Sequence, residues 1–142
     1  LNTSNGNNHN DDLIAYCWHS VPGYSAFGSY IGTNHEDKGY RYLGFKPAFI
    51  MIKDTAASGT GQGWAIFDNA RGSINPIHNC LQANSDSAET TTTDLGQNQI
   101  DFLSNGFFIR CANAYSKMGN VTGNTYIYMA FAETPLNFAN AR

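Results

Sequence analysis

From residue 12 onward, short apolar runs alternate with clusters of Gly, Asn, Asp and Pro. The runs fall at Leu13–Trp18, Ala26–Ile31, Tyr40–Leu43, Ala48–Lys53, Trp64–Asp68, Ile77–Leu81, Ile100–Leu103, Phe107–Cys111 and Thr125–Glu133. They are rich in β-branched and aromatic residues, which pack well on a pleated surface. No window carries an apolar stripe at the helical period, and the recurrent turn chemistry argues against alternating strand–helix units. The pattern predicts an all-β fold, an antiparallel β-sandwich of jelly-roll or lectin-like kind with about 8–10 strands. Residues 1–11 are polar and Asn-rich and read as a linker or lead-in. Residues 12–142 then form a single sandwich domain.

Individual runs carry more detail. Asn105-Gly106 lies between Asp101-Phe102-Leu103 and Phe107-Phe108-Ile109, and such a dipeptide tolerates the positive φ angles of a tight hairpin. Val21-Pro22-Gly23 reads as a tight turn, and Gly44-Phe45-Lys46-Pro47 as a turn entering a buried strand. Phe49-Ile50-Met51-Ile52 is apolar on both faces and should be central. In the run 126–131, Ile127, Met129 and Phe131 are expected to face the core. Tyr126, Tyr128 and Ala130 are expected to face outward, beneath loops or a neighbouring subunit. Both tryptophans, Trp18 and Trp64, are expected in the core. Asp68 and Arg71 are expected to form a salt-bridged turn after a buried strand.

Composition narrows the partners. Charged residues make up only 13% of the chain, and the net charge is -3. The 8 basic residues are scattered and form no stripe, so nucleic acid is not an expected partner. No apolar run reaches the roughly 18 residues of a membrane span, and membrane insertion is not expected. The 3 cysteines, Cys17, Cys80 and Cys111, fit neither a disulfide framework nor a paired metal motif. They are expected as reduced, buried thiols, consistent with assembly in a reducing cytoplasm.

Candidate chemistry is sparse. His9, His19, His35 and His78 show no metal-ligand spacing, and no metal or other cofactor is expected. Were calcium bound, Glu36, Asp37, Asp11 and Asp12 are the carboxylates to inspect, although neither segment has an EF-hand pattern. Gly23-Tyr24-Ser25-Ala26-Phe27 lacks the last glycine of a hydrolase elbow. Ser58-Gly59-Thr60-Gly61-Gln62-Gly63 lacks the Lys and the following helix of a phosphate loop. Asp68 with Glu133 is only a chance pairing of carboxylates for glycosidase chemistry. An enzyme is therefore not expected. The composition favours sugar recognition, in which aromatic faces stack on pyranose C–H faces while polar side chains orient the hydroxyls. The expected shallow glycan site is Tyr24, Tyr40, Tyr42, Asn34 and His35.

Several longer segments, taken in order, resemble a known family. They are Ile14-Ala15-Tyr16-Cys17-Trp18-His19-Ser20-Val21-Pro22-Gly23-Tyr24-Ser25, Gly28-Ser29-Tyr30-Ile31-Gly32 and Gly44-Phe45-Lys46-Pro47-Ala48-Phe49-Ile50-Met51-Ile52-Lys53. Asp68-Asn69-Ala70-Arg71-Gly72, Asp101-Phe102-Leu103-Ser104-Asn105-Gly106-Phe107 and Thr125-Tyr126-Ile127-Tyr128-Met129-Ala130-Phe131-Ala132-Glu133 follow. Together they resemble a domain of unknown function near the C-terminus of tail-fibre-like virion proteins of marine and cyanobacterial bacteriophages. The resemblance implies a place beside lectin-like sandwich modules. The closing Ala139-Asn140-Ala141-Arg142 implies the C-terminal piece of a longer chain. It carries over no catalytic residue. Asp54-Thr55 departs from it, since a basic residue is common there.

The expectation that follows is a virion surface domain, assembled in the host cytoplasm and homotrimeric. It would contact other virion proteins and host surface polysaccharide as a tail-fibre or receptor-binding module. A purely structural decoration or fibre-tip cap is the alternative. A glycan-depolymerising enzyme ranks behind both.

Overall fold

The computed structural model describes residues 15–35, 39–55, 63–91, 100–110 and 120–134. The lead-in 1–11, Asp11, Asp12, Glu36, Asp37, Cys111 and the glycine-rich residues 58–62 lie outside them. Among the described residues seven strands form: β1 Ser25–Ile31, β2 Tyr40–Tyr42, β3 Pro47–Asp54, β4 Trp64–Asp68, β5 Ile100–Leu103, β6 Gly106–Ile109 and β7 Thr125–Ala132. They make one sheet in the order β1-β7-β3-β4 and another in the order β2-β6-β5. Every pairing is antiparallel. Among the described residues there is no helix, so none is long and apolar enough to cross a membrane. The all-β, sandwich-like expectation holds.

Among the described residues the run Ile77–Leu81 does not form the regular strand expected of it, for a topological reason. The run Ile77–Leu81 makes only isolated bridges: Ile77 with Ile100 of β5, Leu81 with Ile66 of β4, and Cys80 with Thr90. It crosses from one sheet to the other, so it cannot follow either ladder for long. Residues 15–18 are exposed and have no regular structure. Trp18 is accordingly 57% exposed and stacks on exposed Tyr16 at 6.0 Å, contrary to the core placement expected of it. Cys17 is likewise exposed, whereas Cys80 is buried as expected.

Turn chemistry explains the connections. Tyr24 N–H donates to Val21 O at 2.9 Å across Pro22-Gly23, and Gly23 takes the positive φ of 73° that this turn requires. The β5–β6 hairpin forms, but its two turn residues are Ser104 and Asn105, because Leu103 pairs with Gly106. Gly106 serves a different purpose from the one its sequence context suggests. A Cβ there would lie 2.1 Å from Arg41 O, so glycine lets β2 close against β6.

The core lies between the sheets. Ile50, Ile52, Ala65, Phe67, Tyr126 and Ala130 from the four-stranded sheet meet Ile100, Phe102, Phe107 and Ile109 from the three-stranded sheet. The ring of Phe107 meets that of Tyr128 edge-on at 5.4 Å. This reverses the expected orientation of β7. Tyr126 is 0% exposed and faces the core, while Ile127 is 39% exposed on the outer side. Phe27, Phe49, Met51, Met129 and Phe131 share that outer side and are half-buried. Tyr126 can go inward because its hydroxyl finds partners there. Tyr126 Oη accepts the Val121 N–H at 3.2 Å, and Tyr126 also engages the Asp54 carboxylate. Its ring stacks on Tyr30 at 5.0 Å, and the Arg41 guanidinium lies 4.5 Å from the Tyr30 ring.

A polar plug closes this end. Asn120 is fully buried; its Oδ1 accepts from Thr33 N at 2.8 Å and its Nδ2 donates to His35 O at 3.2 Å. Asn124 Nδ2 donates to Asp54 Oδ2 at 2.9 Å. The opposite end is held by the expected turn after β4. Arg71 Nε donates to Asp68 Oδ2 and its second nitrogen, Nη1, to Glu89 Oε1, both at 2.6 Å. Asn79 Nδ2 completes the clasp on Glu89 Oε2 at 3.0 Å.

Two outcomes follow from this arrangement. Tyr126→Phe removes a buried hydroxyl and leaves Asp54 short of a partner, and should destabilise the fold by about 1–3 kcal/mol in denaturant titration. Ile127→Thr should lose less than about 1 kcal/mol, the reverse of the order expected if Ile127 were core. In a pH series, Asp68 contributes to the acid side, together with Glu89 and Glu133. Burial alone would raise the Asp68 carboxyl, but the Arg71 backbone N–H, guanidinium and charge outweigh this and lower it. Its stabilisation is therefore complete above the ordinary carboxylate range and lost as pH falls through the lowered folded value. Burial, aided by Asp54, pushes Tyr126 up to about 12 from 10.0, so its stabilisation holds below pH 10 and disappears towards pH 12. Asp68→Asn should make the acid limb of the melting-temperature profile shallower and leave the alkaline limb in place.

Candidate functional site

Strand register gathers a polar cluster at the end opposite the plug. Pro47 pairs with Ala132, and Phe49 with both Phe131 and Asp68, so the start of β3 meets the ends of β7 and β4. The residues just beyond those strand ends, Lys46, Glu133 and Asn69, therefore come together. Glu133 N–H donates to Lys46 O at 2.9 Å and Asn69 N–H to Ala48 O at 3.0 Å, which fixes both backbones. Lys46 Nζ donates to Glu133 Oε2 at 2.7 Å, and Asn69 Nδ2 donates to Glu133 Oε1 at 2.8 Å.

These side chains rim a cavity of about 170 Å³, whose remaining walls include Ser73, Asn75, Ile77 and Phe102. Ile77 and Phe102 are buried and supply its apolar wall. Asn75 clamps that wall: its Nδ2 donates to Phe102 O at 2.9 Å, and its Oδ1 accepts the Phe102 N–H at 2.9 Å. The hydrogen bond and charge of Lys46, with help from Asn69, hold the Glu133 carboxyl below its usual range. Asp68 is held low as well. Near neutral pH both are carboxylates, equipped to accept hydrogen bonds and not to give a proton to a leaving group.

The five residues expected to bind glycan do not form one patch. Tyr40 and Tyr42 pair with Phe108 and Gly106, on the side of β2 that faces away from the core. Tyr42 is 69% and Tyr40 39% exposed. Just after the neighbouring strand β6, the Arg110 guanidinium lies 5.7 Å from the Phe108 ring, and its Nε donates to Asp101 Oδ2 at 2.6 Å. Asn34 and His35 belong to the connection between β1 and β2, tied to Asn120 by their backbones. Tyr24 precedes β1, while Asn34 and His35 follow it, so a strand of roughly 20 Å separates them. Its ring packs against Phe131 at 6.1 Å, in an edge contact. Among the described residues no group of His, Cys, Asp and Glu is arranged to hold a metal ion.

Sequence reasoning did not group Lys46, Asn69, Asn75 and Glu133. Each lies beside a strand end or in a turn, and only the register of β3, β4 and β7 brings them together. The available signal was positional: Lys46 opens the first strand of this trio, while Asn69 and Glu133 close the other two.

No curated protein and no solved structure matches the chain. A family model does, across residues 1–135. The chain belongs to the family described as Domain of unknown function (DUF7483).

Proposed function

We propose that the chain is a non-enzymatic surface domain of a bacteriophage virion, a tail-fibre or receptor-binding module that contacts host surface glycan. The phage setting rests on the resemblance of its sequence segments. The recognition role rests on the exposure of Tyr40 and Tyr42 on the outer side of β2. Large aromatic rings left in water, in a chain of low charge, suit stacking on pyranose rings.

A structural role in the virion is the second reading, and the outer side of the four-stranded sheet favours it. Phe27, Phe49, Met51, Ile127, Met129 and Phe131 form a continuous apolar surface suited to neighbouring copies of the same chain, as in a homotrimer. Both roles place the domain on the virion surface.

Assembled protein should bind host cells and a subset of polysaccharides on a glycan array. Tyr40→Ala with Tyr42→Ala should reduce that signal by roughly tenfold or more without lowering the melting temperature. No binding by the assembled wild type would leave only the structural role. Light scattering tests the assembly: Met51→Asp should shift an oligomer towards monomer, and a monomeric wild type would remove the trimer from the proposal.

A further inference from the structure

The cavity at the end of the sandwich has more structure than a surface hollow. Its hydrogen-bonding groups are only partly engaged with one another. Lys46 has three N–H donors, one of them directed at Glu133, and Asn69 uses one of its two side-chain N–H groups. The Asn69 side-chain oxygen is an acceptor, and each Glu133 oxygen has lone pairs beyond those already engaged. Donors and acceptors thus alternate along one rim, spaced by single hydrogen bonds. A hydroxyl both donates and accepts, so two hydroxyls on neighbouring carbons complement such a rim.

The opposite wall is apolar and rigid. Phe102 and Ile77 are buried, and the double hydrogen bond from Asn75 holds the Phe102 backbone in place. A preorganised apolar wall facing a polar rim fits a ring with one C–H face and an edge of hydroxyls. The cavity is small, about 170 Å³. Charge selects further: Lys46 and Glu133 neutralise each other at 2.7 Å, so the rim offers no net positive field to a uronate or sialate.

We propose that Lys46, Asn69 and Glu133, above Phe102 and Ile77, form a binding site for a single neutral pyranose through two adjacent hydroxyls. This site is separate from the exposed tyrosines of β2, and it rests on the reading of the domain as a glycan-binding module. It makes the end of the sandwich a selector for terminal sugars, with stacking on Tyr40 and Tyr42 a distinct contribution.

The test is calorimetric titration of the full chain with methyl glycosides of neutral hexoses, and with methyl glucuronide as the charged comparison. At least one neutral methyl pyranoside should bind, and more tightly than the glucuronide. Glu133→Gln and Asn69→Ala should each weaken it, Glu133→Gln by roughly tenfold. Because Glu133 also holds Lys46, a second variant leaves the ion pair intact: Ser73→Trp fills the exposed mouth of the cavity and should abolish binding at an unchanged melting temperature. Tyr42→Ala should leave monosaccharide binding unaltered. If no methyl pyranoside binds, or if binding survives Ser73→Trp, the site is overturned. Array binding lost with Tyr40 and Tyr42 yet indifferent to Ser73→Trp would overturn this site alone and leave the recognition role standing. No glycan binding of any kind would remove both.

Discussion

Strand β7 faces a demand that shapes much of the molecule, because it buries tyrosine rings whose hydroxyls need partners in a dry interior. A buried polar group left unpaired costs about 1–3 kcal/mol, comparable to a large share of a small domain's net stability. The chain meets this demand at Tyr126 by bringing Val121 and Asp54 to the hydroxyl. Asp54 then needs its own support, which Asn124 supplies, and Asn120 ties the neighbouring loop over the same end. The stacking of Tyr30 on Tyr126, with Arg41 beside it, joins β1, β7 and β2 across the sandwich. One end of the fold is therefore filled with mutually dependent polar groups.

That filling contrasts with the far end of the same strands. There the residues just past the strand ends are rim groups, only partly engaged with one another, and a cavity lies between them. The difference follows from what each end contributes. The plug has small amides that reach backbone donors and acceptors, whereas the cavity end has longer Lys and Glu side chains that meet above the core. One end of the sandwich is thus filled with polar groups, while the other leaves a cavity between its rim side chains.

Much of the fold was legible in the sequence. The all-β class followed from turn residues at regular intervals, and the β5–β6 hairpin and the Asp68–Arg71 turn followed from local chemistry. What failed was orientation. Period-two alternation in residues 126–131 identifies two faces but does not say which is inward, since both are apolar enough to be buried. Judging by hydroxyls alone favoured the wrong face, because the partners of Tyr126 come from residues 121 and 54, which local pattern does not reveal. The turn propensity of the hairpin glycine is similarly misleading, because its role depends on Arg41, far away in sequence. The cavity was hidden for the same reason: Lys46, Asn69, Asn75 and Glu133 are neighbours only through strand register. Tyr40 and Tyr42 could be singled out because exposed edge aromatics depend on little beyond their own strand.

The clamp of Asn75 on Phe102 has a consequence for how copies of this domain can crowd together. An open sheet margin invites a strand from another molecule, and side chains or crossing segments that bond to the margin block that pairing. Asn75 and Ile77 occupy backbone positions along β5, Leu81 bonds to β4, Ser20 reaches Phe27 of β1, and β2 is only three residues long. Neighbours packed at high density would thus meet through side-chain surfaces, whose association can be specific and reversible. Uncontrolled strand exchange, the route to fibrous aggregates, finds little purchase at these margins.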